Sequence, residues 1–468
     1  MKLNNGFNRT EASLIQVAKK NIFFTGVLVL SVILSGCSSS RHTSNRTKIS
    51  IEENRWLING QPVNKGSSAE GLLMNVRMVN AVFEDTGPAR INLAPGFDPE
   101  KNTGRFVAQV PDYVAHGVRG FTISLQGGSP KYEGAINSAF NANGDLRASY
   151  MDRVEEVVRV AESHRAVIIL SCFYQRQHSH ERALKGKQAM LDAVANVAKW
   201  ILDKKFVNVV LEISNEYAHG GYSEWRDGEW LKSVAGQMEL IRHAKATAPD
   251  LLVSTSGMGN GMIPEAIARA SDYITIHFNN TALEDIPERI KQSLTYGKPV
   301  ICNEDDKIGE TGAEAARLSV VAGAGWGLMD SQKNQSVPFE FDGAADDTIV
   351  YRMLARLTTT GESVDTFTSE QLSVLVTAPK DGDVFQSGIA LNIRASATGV
   401  KGMTGIEVHF YINGQLIGKS AAYPWEISWK NAQAGKHQVT AVVLNSKGKK
   451  LMTSRLVDFE VKDEDKAK

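Results

Sequence analysis

The sequence has few cysteines, no surplus of charge of either sign and no hydrophobic run long enough to cross a membrane as a helix. Its 468 residues include 3 cysteines, which excludes a disulfide scaffold and a four-cysteine zinc site. Basic and acidic residues number 52 each, so the formal charge is 52 − 52 = 0 and binding to a polyanion through bulk positive charge is not expected. With 42% hydrophobic residues the chain is too apolar for general disorder, and its length predicts two folded domains.

The N-terminal residues have the pattern of an export signal. Lys19 and Lys20 precede the apolar run Ile22 to Leu34, which has the length of a signal-peptide core and is shorter than the roughly 20 residues of a membrane-spanning helix. The run ends at Leu34-Ser35-Gly36-Cys37, which resembles the lipobox of bacterial lipoproteins. The resemblance implies cleavage before Cys37, a lipid anchor on its thiol and attachment to the bacterial cell envelope. The outer membrane is favoured because serines rather than an aspartate follow. The alternative is a membrane-inserted segment that ends in a cysteine by chance.

Cleavage at this site changes the charge and leaves a chain with two domains. Residues 1–36 contain four basic residues and one acidic residue, so the mature chain has a formal charge of 0 − (4 − 1) = −3. Residues 37–50 are rich in serine, arginine and threonine, which predicts a flexible tether. The predicted organisation is a signal peptide at 1–36, the tether at 37–50, a first domain at 51–362, a second domain at 372–462 and a charged tail at 463–468.

In the first domain, apolar runs alternate with segments that have hydrophobic residues at helical spacing. Residues 150–161, 191–201 and 231–241 each place an apolar stripe on one helix face. Eight strands alternating with helices predict an α/β fold of the (β/α)8 or TIM barrel type. A doubly wound open sheet is the alternative, although no Gly-x-Gly-x-x-Gly motif follows the first strand. The eight apolar runs that predict the buried strands are 72–79, 120–125, 167–172, 207–213, 251–256, 273–277, 299–302 and 324–329.

A short segment precedes the first strand of this predicted barrel. Residues 56–63 contain Asn59-Gly60 between apolar residues, which is the pattern of a tight β-hairpin. We expect this hairpin to cover the bottom of the barrel, where the strands begin.

After residue 371 the hydrophobic pattern has a period of two. Apolar and polar residues alternate in 391–396 and 408–412, and the turn Asn413-Gly414 follows the second segment. With further strand patterns at 427–429, 439–444 and 457–461, the segment predicts an all-β sandwich. The order of Ala378-Pro379, Phe410 to Gly414, Pro424-Trp425, Trp429 and Gly435 resembles bacterial immunoglobulin-like modules of secreted carbohydrate enzymes. That resemblance implies a spacer or a weak glycan binder.

Two glutamates lie where a barrel carries its active site. Active-site residues of such barrels lie at the C-terminal ends of the strands. The fourth strand runs into Asn215-Glu216 and the seventh into Asn303-Glu304. This pattern resembles the clan A glycoside hydrolases, which implies that Glu216 is the general acid/base, Glu304 the nucleophile and Asn215 a ligand of the sugar 2-hydroxyl. The alternative is that both glutamates form structural ion pairs at the rim.

Two further strand ends agree with this clan, whereas the ends of the second, third and sixth strands depart from it. His277 ends the sixth strand, where clan members commonly have a histidine near the nucleophile, and Trp326 lies on the eighth, where they often have an aromatic platform for a sugar ring. The clan's His-x-Tyr reads His277-Phe278-Asn279 here, so the tyrosine that usually holds the nucleophile is missing. The resemblance therefore implies a divergent, family 5-like member. The alternative for His277 and Trp326 is a place in the core.

Three more residues after strand ends are candidates for substrate binding. Asn80 follows the first strand, Tyr174 the third and Asp306 the seventh. The pair Asp305 and Asp306 has the chemistry to bind either a sugar or a cation, and the sequence favours neither. The alternative for each of these positions is an ordinary solvated loop.

Together these features predict a retaining glycoside hydrolase that acts on a poly- or oligosaccharide and needs no metal or cofactor. Its expected partners are the carbohydrate and a membrane, and no nucleic acid. A retaining enzyme has its two carboxyl groups about 5–5.5 Å apart and an inverting enzyme about 6.5–9.5 Å apart. The alternative from another class is a catalytically inactive glycan-binding surface lipoprotein. His178 and His180 have the spacing to share a metal ion, but no third spaced ligand accompanies them, so a solvated loop is the simpler interpretation.

Overall fold

The computed structural model describes most of the two predicted domains. The predicted signal peptide, Cys37 and most of the predicted tether lie outside the described residues, as does most of the predicted tail. No helix within the described residues is both long and apolar enough to span a membrane. The described residues are 46–85, 97–127, 136–178, 180–331, 333, 335, 339–361, 372–400, 403, 405–430 and 432–463.

The chain begins with a three-stranded antiparallel sheet of β1 (Ile49–Glu52), β2 (Arg55–Ile58) and β3 (Gln61–Pro62). Asn59 and Gly60 both have positive φ, 54° and 73°, as a two-residue hairpin turn requires, so the predicted hairpin is confirmed. Trp56 packs edge-on against Tyr273 at a ring-centroid distance of 5.1 Å. The sheet shares an apolar cluster with residues that begin barrel strands, and it therefore covers the bottom of the barrel as expected.

The boundary predicted for the tether is wrong at its C-terminal end. Thr47 is buried and donates a hydrogen bond to the carbonyl of Glu162 at 2.6 Å, and the Ile49 amide donates to the carbonyl of Val207 at 2.8 Å. Residues 46–50 are therefore part of the folded body. Their polar composition suggested a tether, but their polar groups are paired with the barrel.

Eight short parallel strands and the helices between them form the first domain. The prediction of eight strands is confirmed, and each strand is followed by at least one helix. The strands are β4 (Asn75–Arg77), β5 (Gly120–Ser124), β6 (Val167–Phe173), β7 (Val209–Ser214), β8 (Val253–Ser254), β9 (Ile274–His277), β10 (Val300–Glu304) and β11 (Gly327–Leu328). The helices are α1 (Pro99–Ala115), α2 (Ala148–Ser163), α3 (Lys187–Asp203), α4 (Gly228–Leu231), α5 (Val234–Thr247), α6 (Glu265–Ala270), α7 (Ile286–Leu294), α8 (Gly309–Ala322) and α9 (Thr348–Thr358).

The parallel pairing of these strands follows a circular order. One ladder runs β11-β4-β5-β6-β7-β8 and a second joins β9 to β10. Single parallel bridges connect the two ladders, between Ser256 and Thr275 on one side and between Ile301 and Gly325 on the other. The order therefore returns to its first strand, which agrees with the predicted (β/α)8 arrangement and not with an open doubly wound sheet.

One predicted helix is divided in the structure. The apolar stripe over 231–241 predicted a single helix, whereas α4 ends at Leu231 and α5 begins at Val234. Ser233 lies between them and its side chain accepts a hydrogen bond from the amide of Gly236, as an N-cap serine does. A stripe of apolar residues does not reveal such a break, because both helices bury the same side.

The second domain, here called the C-terminal module, is a sandwich of two sheets. One sheet has the order β12-β14-β17 and the other β13-β20-β18-β15-β16, with β19 paired to β18. Alternate residues of the strands face a separate apolar core, so the predicted all-β sandwich is confirmed. The strands are β12 (Ser373–Ala378), β13 (Val384–Gln386), β14 (Leu391–Thr398), β15 (Glu407–Ile412), β16 (Gln415–Ser420), β17 (Glu426–Trp429), β18 (Gly435–Leu444), β19 (Lys450–Thr453) and β20 (Val457–Lys462).

Candidate active site

The two predicted catalytic glutamates lie together at the C-terminal ends of the barrel strands. Glu304 is the last residue of β10, and Glu216 follows the end of β7 by two residues. One oxygen of each carboxylate and one ring nitrogen of His277, the last residue of β9, all lie within 4.8 Å of one another. The parallel strands bring these three residues together because their C-terminal ends open at the same face.

Glu304 is held by one ion pair and one hydrogen bond. The Nε atom of Arg77 lies 2.9 Å from Oε2, and the Nδ2 atom of Asn279 donates to Oε1 at 2.6 Å. Arg77 is the last residue of β4 and is almost completely buried, and another of its nitrogens donates to Oδ1 of Asn215 at 2.9 Å. Asn215 in turn donates to Gln175 at 3.3 Å. These contacts fix the plane of the Glu304 carboxylate and link it to the residue next to Glu216.

Glu216 has a backbone conformation that is uncommon for a residue with a side chain. Its φ is 46°, in the left-handed region, and its amide donates to the hydroxyl of Ser256 at 2.9 Å. Burial raises the pKa of Glu216, but its interactions with His277, and more weakly with His219 and Arg77, outweigh burial and hold the pKa below its ordinary value. Unusual backbone conformations of this kind concentrate at functional sites, where the surrounding structure maintains them.

His277 lies between three carboxylates. Its Nδ1 atom is 3.6 Å from Oε1 of Glu216 and 3.6 Å from Oε2 of Glu304, and its Nε2 atom is 4.0 Å from Oε1 of Glu212. These distances are longer than hydrogen bonds, so the interaction is one of charge. Burial lowers the pKa of His277, but the negative charges of Glu304, Glu216 and Glu212 outweigh burial and raise the pKa above its ordinary value. The three carboxylates therefore stabilise the protonated form of the imidazole ring relative to the neutral form.

Glu212 and Asn279 are parts of the site that the sequence did not predict. Glu212 is in the middle of β7, is fully buried, and makes no hydrogen bond through its side chain with any other described residue. A glutamate within an apolar strand was the available signal, because a buried carboxylate needs a compensating charge. Asn279 occupies the position of the missing tyrosine in His-x-Tyr, and the structure places it on Glu304.

The other candidate residues differ in burial and in their contacts. Trp326 is fully buried and its Nε1 atom donates to Oδ2 of Asp305 at 2.8 Å. Asp306 is half-buried, and burial together with the charge of Asp305 raises its pKa. Tyr174 is half-buried, and its amide donates to Gln126 at 3.3 Å. Asn80 is buried in the short 3-10 helix that follows β4, where its carbonyl accepts from Asn102 at 2.8 Å.

Among the described residues, one group of three has the spacing to hold a metal ion, and it is Glu216, His277 and Glu304. Arg77 disfavours a cation there, because its guanidinium already lies 2.9 Å from the oxygen that Glu304 would offer. His180 is also poorly suited to bind a metal. Its Nε2 atom lies 3.1 Å from Oε1 of Gln177 and its Nδ1 atom accepts from the amide of Arg182 at 3.1 Å. Burial lowers the pKa of His180 to about 4.

Comparison with known proteins identifies the C-terminal module. Residues 373–441 match the family model described as a bacterial Ig domain, and no curated protein matches the chain. A solved endo-β-1,4-mannanase from Thermotoga petrophila has 14% identity and a TM-score of 0.48, over 84% of this chain and 98% of that chain.

Two further solved structures are similar. A tri-modular GH5 (subfamily 4) endo-β-1,4-glucanase from Bacillus licheniformis has 14% identity and a TM-score of 0.41, over 85% of this chain and 80% of that chain. Fibronectin(III)-like modules of Clostridium thermocellum CbhA have 28% identity and a TM-score of 0.17, over 19% of this chain and 94% of that chain. These scores are too low to establish a shared fold, so the fold assignment rests on the strand pairing described above.

Proposed function

We propose that this protein is a glycoside hydrolase that cleaves O-glycosidic bonds of a poly- or oligosaccharide with retention of configuration. The observation that supports the proposal is the pair of carboxylates at the ends of β7 and β10, which lie within 4.8 Å of each other and of His277. Glycoside hydrolysis needs one carboxyl group that protonates the leaving oxygen and a second on the other side of the anomeric carbon. The close approach of one oxygen from each carboxylate supports the retaining geometry, in which the two carboxyl groups are about 5–5.5 Å apart.

In the proposed first step, an oxygen of Glu304 attacks the anomeric carbon while the bond from that carbon to the leaving oxygen breaks. Glu216 gives a proton to the leaving oxygen, so the products are a glycosyl ester on Glu304 and an alcohol. In the second step, Glu216 takes a proton from water and the water oxygen bonds to the anomeric carbon. The ester bond breaks and Glu304 regains its charge.

The charge of His277 bears on the source of the first proton. In the free protein the pKa of Glu216 is lowered and that of His277 is raised, so the proton is held mainly on the imidazole. The Nδ1 atom lies 3.6 Å from the Glu216 carboxylate, a distance that a small movement reduces to a hydrogen bond. We therefore assign His277 the role of supplying the proton that Glu216 donates.

Substitution of the two glutamates tests this function. Digestion of a panel of β-linked glucans, mannans and xylans identifies a substrate, and Glu216→Gln should then lower the cleavage rate by about 100- to 10,000-fold because the acid is lost. Glu304→Gln should abolish formation of the glycosyl ester. Glu265→Gln, an exposed glutamate on α6, is the matched control and should cleave like the parent. Parental rates in both active-site variants would show that the assignment is wrong.

A glycan-binding protein without catalytic activity is the alternative function. It was motivated partly by the missing tyrosine of His-x-Tyr. Asn279 supplies a donor to Glu304 from that position, so the departure does not leave the carboxylate unsupported. The close approach of the two glutamates also favours the hydrolase, because a binding protein has no need to hold two carboxylates together against their mutual repulsion.

We also propose that the protein is a lipoprotein of the bacterial cell envelope, anchored through Cys37. The support is the sequence of the apolar run and of Leu34-Ser35-Gly36-Cys37. Cys37→Ser should prevent incorporation of labelled palmitate and release the protein from the membrane fraction. Retention of the label in that variant would exclude the anchor.

A further inference from the structure

A pocket lies between the barrel and the C-terminal module. Its volume is ≈ 780 Å³, within the range of roughly 300–1,000 Å³ that is usual for small-molecule sites. The barrel side is formed by the loops that follow β9, β10 and β11, and the module side by β12, β14 and the loop before β17. Asn279, Asp306 and Thr348 are among the barrel residues of the lining, and Thr377, Arg394 and Tyr423 are among those of the module.

Buried polar contacts fix the module beside this pocket. The amide of Ala397 donates to Oε1 of Glu284 at 2.7 Å, and the hydroxyl of Thr398 donates to Oε1 of Glu314 at 3.1 Å. Burial raises the pKa of Glu284. These contacts join the module to the barrel, so residues of both domains line the pocket.

The pocket adjoins the candidate active site. Asn279 lines the pocket and also donates to Glu304 at 2.6 Å, so one side chain belongs to both. Asp306, which lines the pocket as well, follows Glu304 by two residues. A sugar chain that extends from Glu304 past Asn279 would therefore reach the module.

The lining is compatible with an uncharged sugar chain and disfavours an anionic one, because seven acidic and four basic residues line the pocket. Three of the basic residues are paired, Lys307 with Asp305, Arg394 with Glu426 and Arg455 with Glu310, each at 2.9 Å. The carboxylates, hydroxyls and amides of the lining can hydrogen-bond to sugar hydroxyls. Tyr423 is 51% exposed, so its ring is available to stack on the apolar face of a sugar.

We propose that the C-terminal module forms one wall of a second subsite, which binds the continuation of an uncharged oligosaccharide whose scissile bond lies between Glu216 and Glu304. The inference deepens the proposed hydrolase function and depends on it for the position of the bond. It gives the module a role in substrate selection by chain length, and not that of a spacer.

The test measures binding to the full chain that carries Glu304→Gln, which prevents turnover. Short and long members of the cello-, manno-, xylo- and laminari-oligosaccharide series are the probes, in titration calorimetry. Adding Tyr423→Ala should weaken binding of the long members about tenfold, as expected for loss of an aromatic stacking contact. Short members, which occupy only the catalytic centre, should bind unchanged. Thr377→Trp, which places a large ring in the pocket, should have the same selective effect.

Two variants serve as controls for this test. Tyr423→Phe keeps the ring and loses only the hydroxyl contact to Asp285 at 3.2 Å, so it should bind long members like the parent. Tyr411→Ala makes the same truncation on β15, outside the pocket, and should also leave binding unchanged. Thermal unfolding of each variant identifies any loss of folding.

The outcomes separate the subsite from the hydrolase. Long-chain binding that is insensitive to both Tyr423→Ala and Thr377→Trp overturns the subsite, even if the parent cleaves glycans. A parent that cleaves no glycan, but binds long members in a way that needs Tyr423, refutes the hydrolase and leaves the binding site standing. Absence of binding by every probe refutes an uncharged oligosaccharide as the ligand.

Discussion

The two ends of the barrel differ in what fills them. At the bottom, Trp56, Tyr273 and Ile301 belong to one apolar cluster under the N-terminal sheet. At the top, the same strands end in buried charged groups, Arg77, Glu304 and His277, held by ion pairs and hydrogen bonds. Burying charge is costly and burying apolar surface is favourable, so the bottom contributes stability and the top is maintained for chemistry. Substitutions at the two ends should therefore separate stability from activity.

The largest effect on stability is expected at the bottom. Trp56→Ala removes a buried ring from its contact with Tyr273 and leaves a cavity, which should lower the free energy of unfolding by about 3–5 kcal/mol. Urea unfolding measures this change. The activity of the molecules that remain folded should equal that of the parent, because no group at the top is altered.

Leu202→Ala provides the comparison for this variant. Leu202 lies on α3 and is 55% exposed, so its truncation should change the free energy of unfolding by less than about 0.5 kcal/mol. Equal effects of the two substitutions would refute the assignment of the bottom cluster as a source of stability.

The sequence predicted the strands of the barrel well because a buried parallel strand has a local signature. The runs that became β5, β6 and β10 were found from their apolar residues, and each began within one residue of its predicted position. The predicted C-terminal ends of the strands also located Glu216 and Glu304, because the residues at those ends form the top of a barrel. The break between α4 and α5 was missed, because the apolar stripe continues across it and gives no sign that a helix ends there.

The supporting residues of the site were harder to predict. Arg77 was not among the predicted site residues, and its contacts with Glu304 and Asn215 join residues that are far apart in the sequence. Asn279 was recorded only as a departure from a motif. Which side chain faces which across a barrel depends on strand tilt and rotamer, and a hydrophobic pattern contains neither.

An intermediate effect, on activity alone, is expected at the top. Asn279→Ala removes the donor to Oε1 of Glu304, and hydrogen bonds to charged groups contribute about 1.5–3 kcal/mol, so kcat should fall by about 10- to 100-fold. Steady-state kinetics on the cleaved glycan measure this loss. Asn279 is only half-buried, so urea unfolding should change far less than in Trp56→Ala.

Asn392 on β14 is an exposed asparagine outside the pocket and provides the control. Asn392→Ala should retain parental kcat. A parental kcat in Asn279→Ala would mean that Arg77 alone suffices to hold the Glu304 carboxylate.

The smallest effect on the maximal rate is expected below the site, at Glu212. Its charge helps to raise the pKa of His277, so Glu212→Gln should lower the pH at which the imidazole loses its proton. The alkaline limb of the activity profile should move to lower pH with it, because in the proposed mechanism His277 supplies the proton for bond cleavage. The folded-state pKa of His277 is raised, so protonation of His277 stabilises the fold at low pH, and this stabilisation is lost as pH rises through that pKa. Because the shift is smaller in Glu212→Gln, the variant should lose less free energy of unfolding over the same pH range.

Titration of the His277 ring signals by NMR measures the shift directly, and Glu212→Asp, which keeps the charge, should restore most of the parental value. The groups that face His277 are Glu216 and Glu212 from the fourth strand and its end, and Glu304 from the seventh. Loss of only the Glu212 charge leaves the other two carboxylates, so the shift should be downward while the imidazole still titrates. An unchanged titration in Glu212→Gln would mean that the two catalytic carboxylates alone set the charge of His277, and that the buried glutamate serves the packing of the barrel and not the chemistry at its top.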